Sequence, residues 1–249
     1  LKLTNNDYNE NGLSSLLALH GNAYDININV FNGLQHTITG WPGGKPDADD
    51  EHRPERSKPS KKRVLIFSPH PDDDIISMGG TFQRLSDQGH DVHVAYQTSG
   101  NIAVADDEAF RFVEFVKDFN EQFQVNSAET NNVYKNSVSF LNGKKSGEMD
   151  TKELRLVKGL IRKGEAKNTC RFVGIPESNI HFLNLPFYET GTIEKKPIGE
   201  DDITIIEALI QKIKPHQIFA AGDLADPHGT HKVCLDGIFA AIEKIKDVD

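Results

Sequence analysis

Arg63-Val64-Leu65-Ile66-Phe67-Ser68-Pro69-His70-Pro71-Asp72-Asp73-Asp74 is the stretch whose reading decides the fold. Its first half is a short apolar run, which predicts a buried strand. Its second half sets one imidazole and three carboxylates directly after that strand. In open α/β folds the carboxyl edge of the sheet is where ligands sit. Pro69 and Pro71 stiffen the turn, so these groups are held in place before any metal arrives. Further on, Asp226-Pro227-His228-Gly229-Thr230-His231 follows a second apolar run, Gln217-Ile218-Phe219-Ala220-Ala221. Two strand ends therefore offer His, Asp and His, the ligand set of a hydrolytic zinc site with the fourth position left for water. Ferrous iron accepts the same two imidazoles and one carboxylate.

Outward from this stretch, strands and helices alternate. The strand over 63–68 leads to a helix over Ile75 to Gln88, a strand over Val92 to Gln97 and a helix over Asp107 to Phe123. After a polar interruption from Val125 to Asp150 come a helix over Lys152 to Val173 and a strand over Ile180 to Leu185. A helix over Asp202 to Ile213, the strand over 217–221 and a last helix over Gly229 to Lys246 complete the pattern. Short apolar strands between amphipathic helices predict the α/β class, a Rossmann-like three-layer sandwich around a mainly parallel sheet. The interruption reads as an insertion of the kind that forms lids or substrate walls.

Residues 1–61 read instead as an irregular N-terminal arm and linker before a domain over 62–249. The arm is rich in Asn, Asp, Gly and Pro. It offers one helical candidate (Gly12 to His20) and one alternating apolar stretch (Ile26 to Phe31). The turn-dense Gly40-Trp41-Pro42-Gly43-Gly44-Lys45-Pro46 follows, then a charged linker from Asp47 to Lys62. The turn-dense segment lacks the spacing of a phosphate loop.

Composition narrows the function classes. The 249 residues carry a net charge of −9, and the longest basic run is Lys58 to Arg63, which argues against a nucleic-acid partner. No stretch approaches the roughly 20 apolar residues of a membrane span. Cys170 and Cys234 lie in helical patterns without Cys-x-x-Cys spacing, so they read as buried reduced thiols, which favours the cytoplasm.

With these motifs in place, the chain from about Lys62 to Lys246 resembles the PIG-L/LmbE-like deacetylases, a zinc-dependent family acting on N-acetylglucosamine-containing substrates. Pro69-His70-Pro71-Asp72-Asp73-Asp74 and His228-Gly229-Thr230-His231 carry the resemblance. Gly79-Gly80, Thr98-Ser99-Gly100 and the segment Arg162 to Ile175 support it. The resemblance implies that His70, Asp73 and His231 hold zinc and that Asp72 is the general base. It makes His228 the acid or electrophile beside the tetrahedral oxyanion. Asp74 stands where the family usually has Glu, keeping the charge but shortening the reach to a hydrogen-bond partner of the metal site. The arm through Gly40 to Pro46 is similar to the carboxyl-terminal part of two-domain bacterial proteins whose first domain is glucosamine-6-phosphate deaminase-like. The start at Leu1 suits that reading. It implies a covalently linked deaminase-like domain and an amino-sugar substrate that is 6-phosphorylated or not; association into an oligomer is compatible with it.

Each motif also has a plainer reading. A carboxylate run after a strand is commonly a helix cap, and His-x-x-His alone is a solvated helix start. Asp226 either orients His228 or caps the helix. Arg162 either holds a polar substrate group or is a surface arginine, and Asn101 either lines the pocket or is a turn residue. His90 and His93 flank a strand and read as surface or packing residues, His181 and His216 lie near strand starts at the end away from the proposed site, and His20, His36 and His52 belong to the arm; none of the seven reads as a metal ligand. Two functions from different classes result. One is a metal-dependent amidohydrolase removing acetyl from an N-acetylated amino sugar. The alternative is a catalytically silent sugar-binding or docking module attached to an amino-sugar deaminase, and the joint presence of His70, Asp72, Asp73, His228 and His231 favours the first.

Overall fold

The computed structural model describes residues 3–37, 61–125, 127–190, 196–221 and 229–246, with side chains to residue 30 in the first stretch. The chain divides into two compact units, Leu1–Ser60 and Lys61–Asp249.

The described part of the first unit is helical, not irregular: α1 (Asn5–Glu10), α2 (Ser14–His20) and α3 (Ala23–Thr37). Thr4 and Asp7 cap α1 reciprocally, each side chain binding the other's backbone N–H. Tyr8, Ala23 and Ile26 are buried together against Leu16 and Leu17. Ile26 to Phe31 lies inside α3, not in an extended segment. Ile26, Ile28 and Val30 alternate in sequence, but Ile26 is buried while Ile28 and Val30 are exposed, so only the helical face of α3 packs. Asn and Asp, read as loop formers, serve here as caps and solvent-facing residues. The turn-dense segment at 40–46 and most of the linker lie outside the described residues.

The second unit runs β1 (Arg63–Ser68), α4 (Asp73–Asp87), β2 (Asp91–Tyr96), α5 (Asp106–Gln122), α6 (Ala128–Gly143), α7 (Lys152–Val173), β3 (Ile180–Phe182), α8 (Glu200–Ile213), β4 (Gln217–Ala220) and α9 (Thr230–Lys246). All strand pairs are parallel, in the order β3-β2-β1-β4. Alternate residues of β1 feed two cores. Leu65 and Phe67 pack with Ile206 and Leu209 of α8 and Cys234 and Ile238 of α9. Val64 and Ile66 pack with Phe82 and Leu85 of α4 and Ala166, Cys170 and Val173 of α7. A strand apolar on both faces is what a sheet covered by helices on both sides requires. This is the expected three-layer α/β sandwich.

Two boundaries differ from expectation. The polar interruption at 125–150 contains α6, started by Ser127, whose side chain accepts from Thr130 N–H. Val133, Ser137, Phe140 and Leu141 turn inward at helical spacing, a face diluted by the Asn and Ser around it. Beside it, Lys144 and Lys158 each bridge Asp106 and Asp150, at 2.6–2.9 Å, tying the loop before α7 to the start of α5. The regular part of β3 ends at Phe182, although Leu183 and Leu185 still donate to Tyr96 and Gln97 carbonyls.

Candidate active site

Strand order reverses at β1: β2 lies to one side, β4 to the other, and the crossovers leave in opposite directions. The carboxyl ends of such neighbours leave a crevice, the usual ligand site of an open α/β sheet. His70 and Asp73 leave β1 into that crevice, and His231 enters it on the first turn of α9 after β4.

The loop after β1 is held by its own backbone. Ser68 Oγ donates to the His70 carbonyl at 2.6 Å and accepts from Asp74 N–H at 3.0 Å. Thr98 donates to the Pro69 carbonyl through both its hydroxyl and its N–H. The buried Gln97 side chain donates to the Cys234 carbonyl at 3.1 Å, linking the exit of β2 to α9. Gly100 has φ 64°, and a Cβ there would stand 2.9 Å from Pro71 Cδ and 3.3 Å from Arg162 Nε. Only glycine both adopts this turn and lets the loop approach Pro71 so closely.

These constraints bring three ligand atoms together. His70 Nδ1 and Asp73 Oδ2 are 3.1 Å apart, His231 Nε2 and Asp73 Oδ2 3.2 Å, and His231 Nε2 and His70 Nδ1 3.3 Å. Ligands at about 2.1 Å around a tetrahedral ion stand about 3.4 Å from one another. The triangle therefore fits a small divalent ion with two nitrogen donors and one oxygen donor. Burial acts to raise the Asp73 pKa, but hydrogen bonds from the His70 ring and backbone N–H, with the nearby His231 and His70, outweigh it and hold the carboxyl below its usual range. That favours the anionic form a metal needs.

The other expected residues fall into distinct places. Asp72 opens α4 without capping it; its Oδ2 meets Arg162 Nη2 at 2.9 Å, and Arg162 also meets Glu165 at 3.1 Å. Asp74 is buried and accepts from the Tyr96 hydroxyl at 2.8 Å, and that hydroxyl also contacts Cys170 Sγ at 3.3 Å. Burial, and then the charge of Asp72, raise the Asp74 pKa against the Tyr96 hydrogen bond. Burial likewise pushes the Cys170 thiol up to about 11, leaving it inert. Asn101 is buried, its amide donating to Ser99 Oγ at 2.7 Å and Glu189 at 3.3 Å. Asp226 and His228 lie outside the described residues.

Sequence reading passed over two residues at the third strand exit. The Tyr188 ring meets His70 edge-on, with centroids 5.8 Å apart, and burial followed by the Glu189 charge pushes its phenol up to about 12. Glu189 accepts from Ser99 N–H and Ser99 Oγ, each at 3.0 Å. Their signal was the run Leu185-Pro186-Phe187-Tyr188-Glu189, an aromatic and an acid just beyond a strand at the ligand edge.

Comparison with known proteins identifies the family of this domain. A glucosamine-6-phosphate deaminase-like protein of Bacteroides thetaiotaomicron is 61% identical over 249 residues, 99% of this chain and 37% of that protein. An N-acetyl-alpha-D-glucosaminyl L-malate deacetylase of Bacillus cereus is 25% identical over 174 residues, 69% of this chain and 55% of that protein. The chain thus spans about a third to a half of the length of these curated relatives. Among solved structures, N,N'-diacetylchitobiose deacetylase from Pyrococcus horikoshii aligns over 86% of this chain and 58% of its own, at 20% identity and a TM-score of 0.48. The family model described as PIG-L, GlcNAc-PI de-N-acetylase, matches residues 65–242, so the span from Leu65 in β1 through the ligand triangle to α9 belongs to the PIG-L family.

Proposed function

We propose that this domain hydrolyses the N-acetyl group of an N-acetylglucosamine-type amino sugar, releasing acetate and a free amine, with a divalent ion held by His70, Asp73 and His231. The observation that carries this reading is the 3.1–3.3 Å triangle of ligand atoms at the switch point of the sheet, with Asp72 beside it. Zinc in such a site supplies Lewis acidity, polarising an amide carbonyl and lowering the pKa of water to about 7; ferrous iron suits the same donors.

Around that centre the chain's own groups have separate tasks. Asp72 takes the proton from the attacking water as a C–O bond forms at the amide carbon. Arg162 holds Asp72 Oδ2, which orients the carboxylate and leaves Oδ1 for the proton. The proton then passes to the departing nitrogen as the C–N bond breaks. His228, three residues before His231 in the sequence, is the proposed donor to the oxyanion, with Asp226 orienting it. Asp74 braces the ligand loop through Tyr96. Asn101, paired with Ser99 and Glu189, shapes the pocket wall.

The deacetylase names of the relatives support the reaction, and the deaminase-like name of the Bacteroides relative supports a linked amino-sugar deaminase domain, with a 6-phosphorylated sugar as substrate. Two buried free cysteines support a cytoplasmic setting; among the described residues no helix is long and apolar enough to cross a membrane. The test is acetate release from N-acetylglucosamine, its 6-phosphate and diacetylchitobiose by zinc-loaded protein, alongside metal content by mass spectrometry. Metal lost in His231→Ala together with acetate release in the wild type supports the proposal. Bound metal with no acetate from any amide would leave the silent sugar-binding module.

A further inference from the structure

A cleft of about 410 Å³ reaches the ligand-bearing loop at Pro71. Pro71, between His70 and Asp72, forms part of its wall with Ser99 and Glu189, and α7 contributes Lys152, Arg155 and Lys163. The spacing of these three sets them along one face of the helix. Gly159 lies on the same face, and a Cβ there would stand 3.4 Å from Ser99 Cβ, so its bare backbone lets α7 close against the strand exits. Asn184, at φ 47°, turns the chain out of the β3 edge and lines the floor. A non-glycine residue in that conformation is a feature common at binding sites.

The charge of this cleft opposes that of the molecule. The chain carries −9 overall, yet three cations line this surface. Among the described residues that line it the one acid, Glu189, is committed: both carboxylate oxygens accept hydrogen bonds from Ser99, and one also from Asn101. Lys163 Nζ sits 4.9 Å from the Phe182 ring centroid, a cation–π contact that holds it on the wall without neutralising it. Among the described residues Arg155 donates to the carbonyls of Asp150 and Thr190, at 3.5 and 3.4 Å. Among the described residues no carboxylate makes an ion pair with Lys152, Arg155 or Lys163, and Glu177 attracts Lys163 only at longer range.

We infer that this cleft is an anion subsite that takes a phosphate monoester carried by the amino-sugar substrate, with Lys152, Arg155 and Lys163 supplying its charge. The inference rests on the deacetylase reading for the position of the sugar. A phosphate dianion matches a flexible array of two ammonium groups and one guanidinium better than a neutral sugar does. The subsite makes phosphorylation of the sugar a determinant of specificity, so a sugar-phosphorylating reaction precedes this one.

Titration calorimetry on the zinc-loaded full chain tests it with three probes: N-acetylglucosamine 6-phosphate, N-acetylglucosamine and inorganic phosphate. The wild type is expected to bind the sugar phosphate at least tenfold more tightly than either other probe, with the preference shrinking as salt rises. Lys152→Gln/Lys163→Gln is expected to lose at least tenfold of that preference, and Lys152→Arg/Lys163→Arg to keep most of it. Equal affinity for the phosphorylated and neutral sugars, a preference intact in the glutamine variant, or inorganic phosphate binding as tightly as the sugar phosphate would each overturn the inference. Acetate release, scored separately, distinguishes the two readings. A charge-dependent preference without turnover keeps the subsite and removes the deacetylase, whereas turnover without the preference does the reverse.

Discussion

Among the described residues of the second unit, two places link two imidazoles and a carboxylate through contacts of 3.5 Å or less, and only one of them resembles a metal site. At the carboxyl edge, His70, Asp73 and His231 close a triangle with sides of 3.1–3.3 Å. On β2 and β3, His93 Nδ1 lies 3.1 Å from His181 Nε2, with the rings stacked, while His93 Nε2 lies 3.5 Å from Asp91 Oδ1. Here Asp91 and His181 address opposite nitrogens of one ring, so the groups form an open chain that shares protons and has no common focus for an ion. The difference originates in the backbone. Residues 91 and 93 stand two apart on one strand and project to the same face, whereas a stiff loop and a helix start curve their side chains around a point. Residue types alone do not make a centre; convergence does.

Breaking each cluster separately gives the largest expected contrast. His70→Ala or Asp73→Ala should cost metal affinity at least about 100-fold, the upper range for losing a mere hydrogen-bond partner of a ligand, and acetate release should fall to background. His181→Gln should leave metal content unchanged by mass spectrometry; equal metal loss in both would erase the distinction. Asp72 lies beside the triangle but outside it, which sharpens the comparison. Asp72→Asn should keep the metal while kcat falls by about 10²–10⁴-fold, the range for losing a general base. Normal turnover by that variant would remove Asp72 from the chemistry.

The triangle also depends on a loop conformation that the strand pair does not need. Gly100→Ala forces a side chain into the left-handed region and against Pro71, for a cost of about 1–3 kcal/mol. The midpoint of thermal unfolding should drop by about 2–4 °C per kcal/mol in a domain of this size. Metal affinity should weaken with it, because Pro71 lies beside His70; an unchanged Tm would show that the loop has room to give.

These contrasts follow what was legible in the residues. β1, α7 and β4 were readable because strong apolar periodicity and sharp boundaries agree there; the two ligand-bearing loops were readable because each follows a strand end, while the choice of His70, Asp73 and His231 among the groups there came from the family resemblance. α6 and α3 were not, since their buried faces are narrow and interleaved with Asn and Ser, whose propensity points to turns. Long-range pairings stayed hidden for a different reason. That Arg162 meets Asp72, that Glu189 meets Ser99 and that Asp74 meets Tyr96 depends on strand order β3-β2-β1-β4, which local patterns leave open. The same holds for His93 and His181, read singly as packing residues and found stacked.

That stacked pair carries the smallest expected effect, and it separates proton chemistry from metal chemistry. Burial, then the neighbouring His93 and Lys212, push His181 down to about 4; burial also lowers His93, against the pull of Asp91. In the unfolded chain a histidine titrates near 6.5. Between those values the unfolded state binds the extra proton and the folded state does not, so stability rises with pH across this window and is lost as pH falls from about 6.5 towards 4. The ring is partly open to solvent, so the discounted contribution is on the order of 1 kcal/mol, or about 2–4 °C in Tm. His181→Gln should flatten the Tm profile between pH 6.5 and 4 by that amount, in metal-free and zinc-loaded protein alike. A flattening confined to the zinc-loaded form would tie this pair to the metal site and undo the comparison; an unaltered slope in both forms would show that the two rings share no proton.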